Sequence, residues 1–242
     1  MNAPVLANVK CSECPIRHRA VCSRCDTDEL AVLEQIKIYR NFKAGDQVFW
    51  RGEPMDYVAS IVSGVATLGK TLEDGRTQMV GLLLPSDFIG RPGRSKVEFD
   101  VTAVTDVTLC CFERQPFERL LVATPRIAQR LVEIALDELD AARDWMLLLG
   151  RKTAREKIAT FIDMLVQRNS VDHGITPALA LALPLTREEI ANYLGLTLET
   201  VSRHLSALKS EGVLNFSDRR NFVVTDLEAL RAISGDESDD CL

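Results

Sequence analysis

The chain has 242 residues, which is long enough for two domains that each have a hydrophobic core. Its formal net charge of −6 gives no overall basic field, so contacts with DNA phosphates would need a local basic surface. No apolar run approaches membrane-spanning length, and the N-terminus lacks the apolar core of a signal peptide. We therefore expect a cytoplasmic protein with no membrane partner. Seven cysteines in such a chain favour metal or redox chemistry over disulfides.

Residues 1–30 form a cysteine-rich segment that contains two CxxC pairs, Cys11 with Cys14 and Cys22 with Cys25. Four thiols in so short a stretch are more than a hydrophobic core needs, so we expect a bound metal to order the segment. Zinc is compatible with the pairs, although only seven residues separate Cys14 from Cys22. Thiolates hold iron–sulfur clusters equally well.

Residues 31–120 alternate short apolar runs with turn signals, a pattern that predicts an antiparallel β-barrel or jelly roll. The turn signals are Ala44-Gly45-Asp46, Arg51-Gly52-Glu53-Pro54, Ser63-Gly64 and Glu73-Asp74-Gly75. One further strand is predicted from Val101 to Phe112, with Cys110 and Cys111 near its end. Because neighbouring strand residues face opposite ways, only one of these two cysteines can face the N-terminal segment.

Residues 121–150 change to a helical period, and a long helix is predicted from Pro125 to about Leu149. Its apolar positions keep near-heptad spacing and predict a dimer seam: Ile127, Leu131, Ile134, Leu139, Met146 and Leu149. The alternative is that this helix packs only on its own barrel. Asp137, Glu138 and Asp140 lie close to the seam, where like charges across a two-fold axis would weaken a dimer.

Residues 151–233 contain two short helices joined by a tight turn, after a first helix predicted over 154–166 and a loop that ends at Pro184. Thr186 and Glu189 form a capping box signature, and Gly195 supplies a turn with positive φ. Thr197 caps the second helix, predicted from Leu198 to Lys209. The arrangement predicts a helix-turn-helix that binds DNA with its second helix.

Glu199, Ser202 and Arg203 share one face of this second helix because they are spaced i, i+3 and i+4. Arg bonds guanine, Glu accepts from cytosine, and Ser bonds either kind of base edge in the major groove. We expect Thr197 and Thr200, at the start of the helix, to join them in binding double-stranded DNA. The alternative is a solvated Glu199–Arg203 pair with no partner.

Two alternating runs after the recognition helix, 213–216 and 222–225, predict a β-hairpin wing. Basic side chains in this third of the chain are available for a phosphate-binding surface: Arg151, Lys152, Arg155, Lys157, Arg187, Lys209, Arg219 and Arg220. Residues 234–242 form an acidic tail. Together the segments predict an α+β protein with a barrel sensor domain, a long dimerisation helix and a C-terminal winged helix.

Over residues 8–233 the chain resembles the Crp/Fnr family of bacterial transcription regulators. The stretches that carry the resemblance are KAGDQVFWRGEPMD and VSGVATL in the barrel, and above all LTREEIANYLGLTLETVSRHL. Within the family it is similar to FNR-type oxygen regulators, in particular the FnrL group of alphaproteobacteria, by its cysteines and by the junction MLLLGRKTAREKIATFI. This resemblance implies a cyclic-nucleotide-binding-like barrel, a homodimer that reads an inverted repeat like TTGAT-N4-ATCAA, and contact with RNA polymerase.

The resemblance also implies one [4Fe-4S] cluster per subunit that holds the dimer together until oxygen converts it. Carried over by position, its ligands are Cys11, Cys14, Cys22 and Cys110. The last N-terminal spacing is longer than in the enterobacterial pattern, so Cys25 is an alternative to Cys22, as Cys111 is to Cys110. Whether the regulator activates or represses does not follow from the resemblance.

The alternatives are a cyclic-nucleotide regulator, a regulator with a zinc or thiol redox site, and an enzyme. A cyclic-nucleotide regulator needs a Gly-Glu pair, but Gly90 is followed by Arg91 and Pro92, and the pair Arg94-Ser95 comes about three residues too early. A regulator with a zinc or thiol redox site remains open on composition. An enzyme is not expected, because the chain has no phosphate-cradling glycine loop, HExxH or nucleophile elbow.

Overall fold

A computed structural model describes residues 9–71, 73–74, 77–173 and 180–235, without the side chains of 169–173 and 180. The chain divides into two compact units, Met1–Ala141 and Ala142–Leu242, and the boundary falls inside the longest helix. The predicted acidic tail lies outside the described residues from position 236 onward, and so does part of the predicted turn at Gly75.

The first unit is built on an antiparallel β-barrel, as the sequence predicts. Its elements are a 3-10 helix Cys11–Glu13, helix α1 Thr27–Ile36, strands β1 Lys37–Phe42, β2 Gln47–Phe49, β3 Tyr57–Ser63, β4 Ala66–Thr71, β5 Thr77–Leu83, β6 Phe88–Ile89, β7 Asp100–Ala103 and β8 Val107–Glu113, then helix α2 Arg114–Ala123. The strands form two four-stranded sheets in the orders β1-β8-β3-β6 and β2-β7-β4-β5. Every strand pairing in both sheets is antiparallel.

The first unit has a separate hydrophobic core on each face of the sheet that contains β8. One core fills the space between the two sheets, around Ile61, Val101 and Leu109. The other core packs the N-terminal segment and helix α2 against the outer face, around Phe112 and Phe117. Strand β8 is buried along six of its seven residues because it contributes side chains to both cores.

Two predictions for the first unit were wrong. Residues 31–36 belong to helix α1, because Asp26 and Glu29 form a capping box that starts a helix. The single strand predicted over 101–112 is two strands in different sheets. The chain turns between them at Asp106, whose carboxylate accepts hydrogen bonds from the backbone N–H of Ala44 and from the Lys43 ammonium.

The second unit is a winged helix that follows helix α3, Pro125–Arg151, which spans the unit boundary. Its elements are helix α4 Ala154–His173, strand β9 Ala180–Ala182, helices α5 Arg187–Leu194 and α6 Leu198–Ser210, strands β10 Leu214–Phe216 and β11 Asn221–Val224, and helix α7 Leu227–Ser234. The predicted hairpin of β10 and β11 is present. Two features were missed: α4 runs past residue 166, and β9 adds a third strand to the wing.

Candidate functional site

The cysteine segment lies on the outer face of the barrel and is held there mainly by three apolar anchors. Ile16, Ala20 and Val21 are each at most 4% exposed and belong to the outer core. Apart from one 3-10 turn, the backbone of residues 9–25 runs through turns, tied by local bonds such as the one from Arg17 Nη2 to the Cys25 carbonyl at 2.7 Å. The segment therefore depends on packing for its position, since its own regular secondary structure before α1 is one 3-10 turn.

Four thiols converge on one small cavity between this segment and the barrel. The cavity has a volume of about 20 Å³, and its thiols come from Cys11, Cys14, Cys22 and Cys110. The remaining lining residues are Ile16, Ala20, Val21, Leu33, Tyr39, Ser60 and Phe112. A segment at the start of the chain and the end of β8 are thus brought together, and the four cysteines are those that the resemblance implies.

The electrostatic environment of these thiols reflects their burial. Burial raises the pKa of Cys22 to about 11, and it raises the pKa of Cys110 well above its ordinary value. The charges of Cys14 and Cys11 raise the pKa of both groups further. Such thiols oppose one another's ionisation, so a metal that binds them would have to displace their protons into solvent.

The cavity suits a thiolate-bound group in its chemistry but not in its present size. The Ser60 hydroxyl lines it and, among the described residues, is buried without a hydrogen-bond partner. That orphaned hydroxyl indicates a place for a polar or ionic group. No group of three or more His, Cys, Asp or Glu side chains is already spaced to hold a metal ion in the described part of the chain. Binding a cluster would therefore require the cavity to widen.

The two remaining cysteines of interest point elsewhere. Cys111 is buried in the core between the sheets, whereas Cys110 belongs to the outer core. Cys25 is buried in the outer core but does not line the cavity, and burial raises its pKa to about 12. Strand alternation accounts for the difference between Cys110 and Cys111, since successive side chains leave opposite faces of β8.

Three arginine contacts tie the cysteine segment to the N-terminal half of α3. Arg130 Nη2 donates to the Arg19 carbonyl at 2.8 Å. The Arg126 guanidinium lies 2.7 Å from the Asp26 carboxylate, and Arg24 lies 2.8 Å from Glu133. Sequence reasoning missed these contacts, because arginines on a helix do not reveal which distant carbonyl or carboxylate they reach.

The apolar side chains of helix α3 lie on two different faces of the helix, so the predicted dimer seam was partly wrong. Ile127 is fully buried in the outer core, with Leu131 and Ile134 packed against it. Other apolar side chains of the helix are more than a third exposed: Val132, Leu136, Leu139, Met146, Leu147 and Leu149. A dimer seam in the first unit would use Val132, Leu136 and Leu139, which share one face by their spacing.

The three acids near that seam are all exposed, but they face different ways along the helix. Asp140 follows Leu139 and is four residues after Leu136, so it flanks the exposed apolar face. Glu138 lines a second, larger cavity of the barrel unit, which is separate from the thiol cavity. Asp137 is two residues before Leu139 and therefore lies on the other side of the helix. Of the three acids, Asp140 is therefore the one that flanks the exposed apolar face.

A larger cavity of about 230 Å³ opens beside the loop that follows β6. Its lining is apolar except for Arg91, Arg94, Lys96, Glu98 and Glu138. The Arg94 guanidinium pairs with the Glu98 carboxylate at 2.6 Å. Arg94 therefore already has a carboxylate partner in the same loop.

The helix-turn-helix has the local geometry that the sequence predicts. The Thr186 side chain accepts from the Glu189 N–H, and the Glu189 carboxylate accepts from the Thr186 N–H. Gly195 has φ of 64°, the left-handed turn conformation. Thr197 caps α6 by accepting from the N–H of Thr200. These contacts determine where each helix begins and ends.

Helix α6 separates a buried face from a polar one. Val201, Leu205 and Leu208 are buried, while Glu199 and Arg203 are exposed and Ser202 is half-buried. No ion pair joins Glu199 to Arg203 in the part of the chain that the structure describes. Hydrogen bonds from its own backbone N–H and from the Thr197 hydroxyl lower the pKa of the Glu199 carboxylate.

The predicted phosphate-binding set loses two members. Lys157 is buried and donates to the Leu194 carbonyl at 3.3 Å, so it holds α4 to α5. Arg155 is engaged by both oxygens of the Glu211 carboxylate. Lys209, Arg219 and Arg220 are exposed and remain available for phosphates. Burial depends on distant packing, which a list of basic residues cannot reveal.

Comparison with known proteins agrees with this architecture. A family model described as a cyclic nucleotide-binding domain matches residues 39–124, and one described as a Crp-like helix-turn-helix domain matches residues 125–233. The chain is 59% identical over 235 residues to the transcriptional activator protein FnrL of Cereibacter sphaeroides, covering 95% of this chain and 94% of that protein. It is 30% identical over 235 residues to the transcriptional activator protein anr of Pseudomonas aeruginosa, covering 95% and 94%.

Comparison of the fold with solved structures also places the chain among proteins of this architecture. FixK2 from Bradyrhizobium japonicum superimposes with a TM-score of 0.74 at 32% identity, covering 84% of this chain and all of that one. A CooA mutant from Carboxydothermus hydrogenoformans shares the fold with a TM-score of 0.66 at 23% identity, covering 84% and 90%.

Within the described ranges, no helix is both long and apolar enough to cross a membrane.

Proposed function

The chain belongs to the Crp/Fnr family of DNA-binding transcription regulators, and we propose that it is an oxygen-responsive activator that carries an iron–sulfur cluster. The observation that carries this proposal is the convergence of Cys11, Cys14, Cys22 and Cys110 on one cavity. Four thiolates are the ligand set of a [4Fe-4S] cluster. Activation is proposed because the similar proteins from Cereibacter sphaeroides and Pseudomonas aeruginosa are named transcriptional activators.

The residues around the cavity support this proposal in two ways. Ile16, Ala20 and Val21 anchor the segment on the barrel, which keeps the three N-terminal thiols close to Cys110. The partnerless Ser60 hydroxyl provides a donor toward whatever fills the cavity. When bound, a cluster would supply an oxygen-sensitive link among the four thiolates. Loss of that link would leave the segment held by packing and by its arginine contacts to α3.

The arginine contacts offer a route from the cavity to the helix that we propose as the dimer interface. Movement of the cysteine segment changes where Arg19 and Asp26 lie, and these are held by Arg130 and Arg126 of α3. The same stretch of α3 carries exposed Val132, Leu136 and Leu139, with Asp140 opposing their pairing. A dimer that is only marginally stable could therefore be decided by the state of the segment.

A dimer would present two α6 helices to the two halves of an inverted repeat. Glu199, Ser202 and Arg203 are positioned on the open face to read a half-site like TTGAT, with Thr197 and Thr200 beside them. Exposed Lys209, Arg219 and Arg220 would contact phosphates, and RNA polymerase would be recruited to the bound dimer. This half-site follows from family resemblance and remains part of the proposal.

The test is anaerobic purification with analysis of iron, sulfide and zinc, followed by titration of a labelled TTGAT-N4-ATCAA duplex before and after exposure to air. We expect a brown protein with about four irons and four sulfides per chain, and duplex binding that is lost in air. A colourless protein that contains zinc and binds DNA equally with and without oxygen would contradict the proposal. It would favour the zinc-site alternative instead.

A further inference from the structure

Lys37 is a nearly buried cation next to one of the four cavity thiols. Its side chain is 10% exposed, and its Nζ lies 3.5 Å from Cys11 Sγ. The same ammonium donates to the Val9 carbonyl at 2.6 Å and lies 3.8 Å from a Glu34 oxygen. A buried lysine usually requires a strong partner, and a neutral thiol is a weak one.

Tyr39 approaches the same group of thiols from the same strand. Lys37 and Tyr39 are two residues apart on β1, so both side chains leave the face toward the cysteine segment, while Ile38 and Arg40 are exposed. Tyr39 lines the thiol cavity together with Cys11 and Cys14, and burial next to these thiols raises the pKa of its hydroxyl. The Lys37 ammonium lies 5.3 Å from the Tyr39 ring centroid.

We propose that Lys37 and Tyr39 are positioning residues that hydrogen-bond the sulfurs of Cys11 and Cys14 when these act as cluster ligands. This inference rests on the proposed function. Four thiolates give a buried iron–sulfur site a net negative charge, and the protein must compensate it. Hydrogen bonds to ligand sulfur and nearby positive charge stabilise the thiolates, and they favour the more negative reduced state of such a site.

The proposal explains why a lysine is buried at this position. With a protonated thiol as its neighbour, the ammonium is compensated among the described residues by the Val9 carbonyl and by the exposed Glu34 carboxylate at 3.8 Å. With a thiolate at Cys11, it gains a charge-assisted hydrogen bond. Lys37 and Tyr39 therefore tune how firmly the cluster is held and at what potential it reacts.

The first test compares Lys37→Met with Lys43→Met in anaerobically reconstituted full-length protein. Lys43 follows the other end of β1, is 82% exposed and pairs with Asp106, so its loss removes the same charge away from the thiols. We expect a chelator to remove iron about tenfold faster from Lys37→Met than from wild type, with a lower midpoint potential. Lys43→Met should match wild type in both measurements.

The second test uses Tyr39→Phe, which removes one hydroxyl and keeps the ring in place. Hydrogen bonds to ligand sulfur shift the iron–sulfur stretching bands when the exchangeable hydrogens are replaced by deuterium. We expect the resonance Raman shift of these bands to shrink in Tyr39→Phe and in Lys37→Met, and not in Lys43→Met. A residue that only supported the fold would leave this isotope effect unchanged.

The outcomes separate the two proposals. If wild type takes up no iron and sulfide, the proposed function fails, and this inference fails with it. If wild type is fully loaded but both variants match it in chelator rate, potential and Raman isotope shift, the inference is overturned and the proposed function stands. Slower iron loss from either variant would also contradict it.

Discussion

Cys110 and Cys111 are neighbours in strand β8, but their side chains lie in different cores. Cys110 lines the cavity with the N-terminal thiols, and Cys111 packs between the two sheets. The neighbours that raise the pKa of Cys110 include Cys14, Cys11 and Cys22, after burial itself. Strand geometry thereby separates a candidate ligand from a structural cysteine that differs from it by one position.

We expect Cys110→Ser to abolish cluster binding and Cys111→Ser to retain it. Serine removes the soft thiolate that iron–sulfur sites require, and only Cys110 faces the cavity. The measurement is iron and sulfide per chain after anaerobic reconstitution, with thermal unfolding of both apo variants to show that each is folded. Full loading of Cys110→Ser would move the assignment to Cys111.

The same comparison applies to Cys22→Ser and Cys25→Ser. Cys22 lines the cavity and Cys25 does not, although both thiols are in the same segment. We expect Cys22→Ser to lose the cluster and anaerobic DNA binding together, and Cys25→Ser to keep the visible absorption of the loaded protein. The reverse result would show that the segment rearranges further on binding than the cavity suggests.

On the DNA-reading face, Arg203→Ala should weaken binding to the proposed site by about 1–3 kcal/mol and relax specificity mainly at the guanine. Glu199→Ala should relax specificity at the opposing cytosine. The measurement is binding to a set of duplexes that carry single base changes in one half-site. Glu228→Ala, in the first turn of α7, is a control that removes an exposed acid elsewhere in the unit. An unchanged rank order for both test variants would mean that α6 docks differently.

Replacing the acid that flanks the exposed seam should stabilise the dimer. We expect Asp140→Ala to dimerise and bind DNA in air, because it removes a charge that would face its own copy. Each exposed like-charge contact costs roughly a few tenths of a kcal/mol, which suffices only for a marginal dimer. The measurement is the oligomeric state of the aerobic protein by sedimentation. Asp137→Ala, on the other side of α3, is the matched control. If Asp140→Ala stays monomeric in air, another residue opposes pairing.

Breaking one arginine contact should uncouple the cysteine segment from α3. Arg130→Met keeps an apolar stem but loses the donor to the Arg19 carbonyl. We expect full iron loading with a weaker anaerobic dimer, measured by metal analysis and sedimentation on the same sample. Arg24→Met removes a more exposed ion pair with Glu133 and should therefore weaken the dimer less. Loss of iron from Arg130→Met would instead mean that Arg130 is needed to keep the cysteine segment in place for cluster binding.

Local sequence patterns determined the helix-turn-helix almost to the residue. The capping box of Thr186 and Glu189, the turn at Gly195 and the cap at Thr197 all act between residues three or four positions apart. Because these contacts are local, the sequence itself shows which residues can form them. The same signature at Asp26 and Glu29 was available in the sequence and predicts helix α1, which the strand pattern obscured.

Tertiary structure alone decided which side chains share a site. Cys22 and Cys25 have the same chemistry and the same spacing motif, and only packing against β8 brings one of them to the cavity beside Cys110. The sequence suggests that Lys157 is a surface cation, but in the fold it is buried and donates to the Leu194 carbonyl. Long-range packing sets the direction of each side chain, because an amphipathic period specifies a buried face but not what covers it.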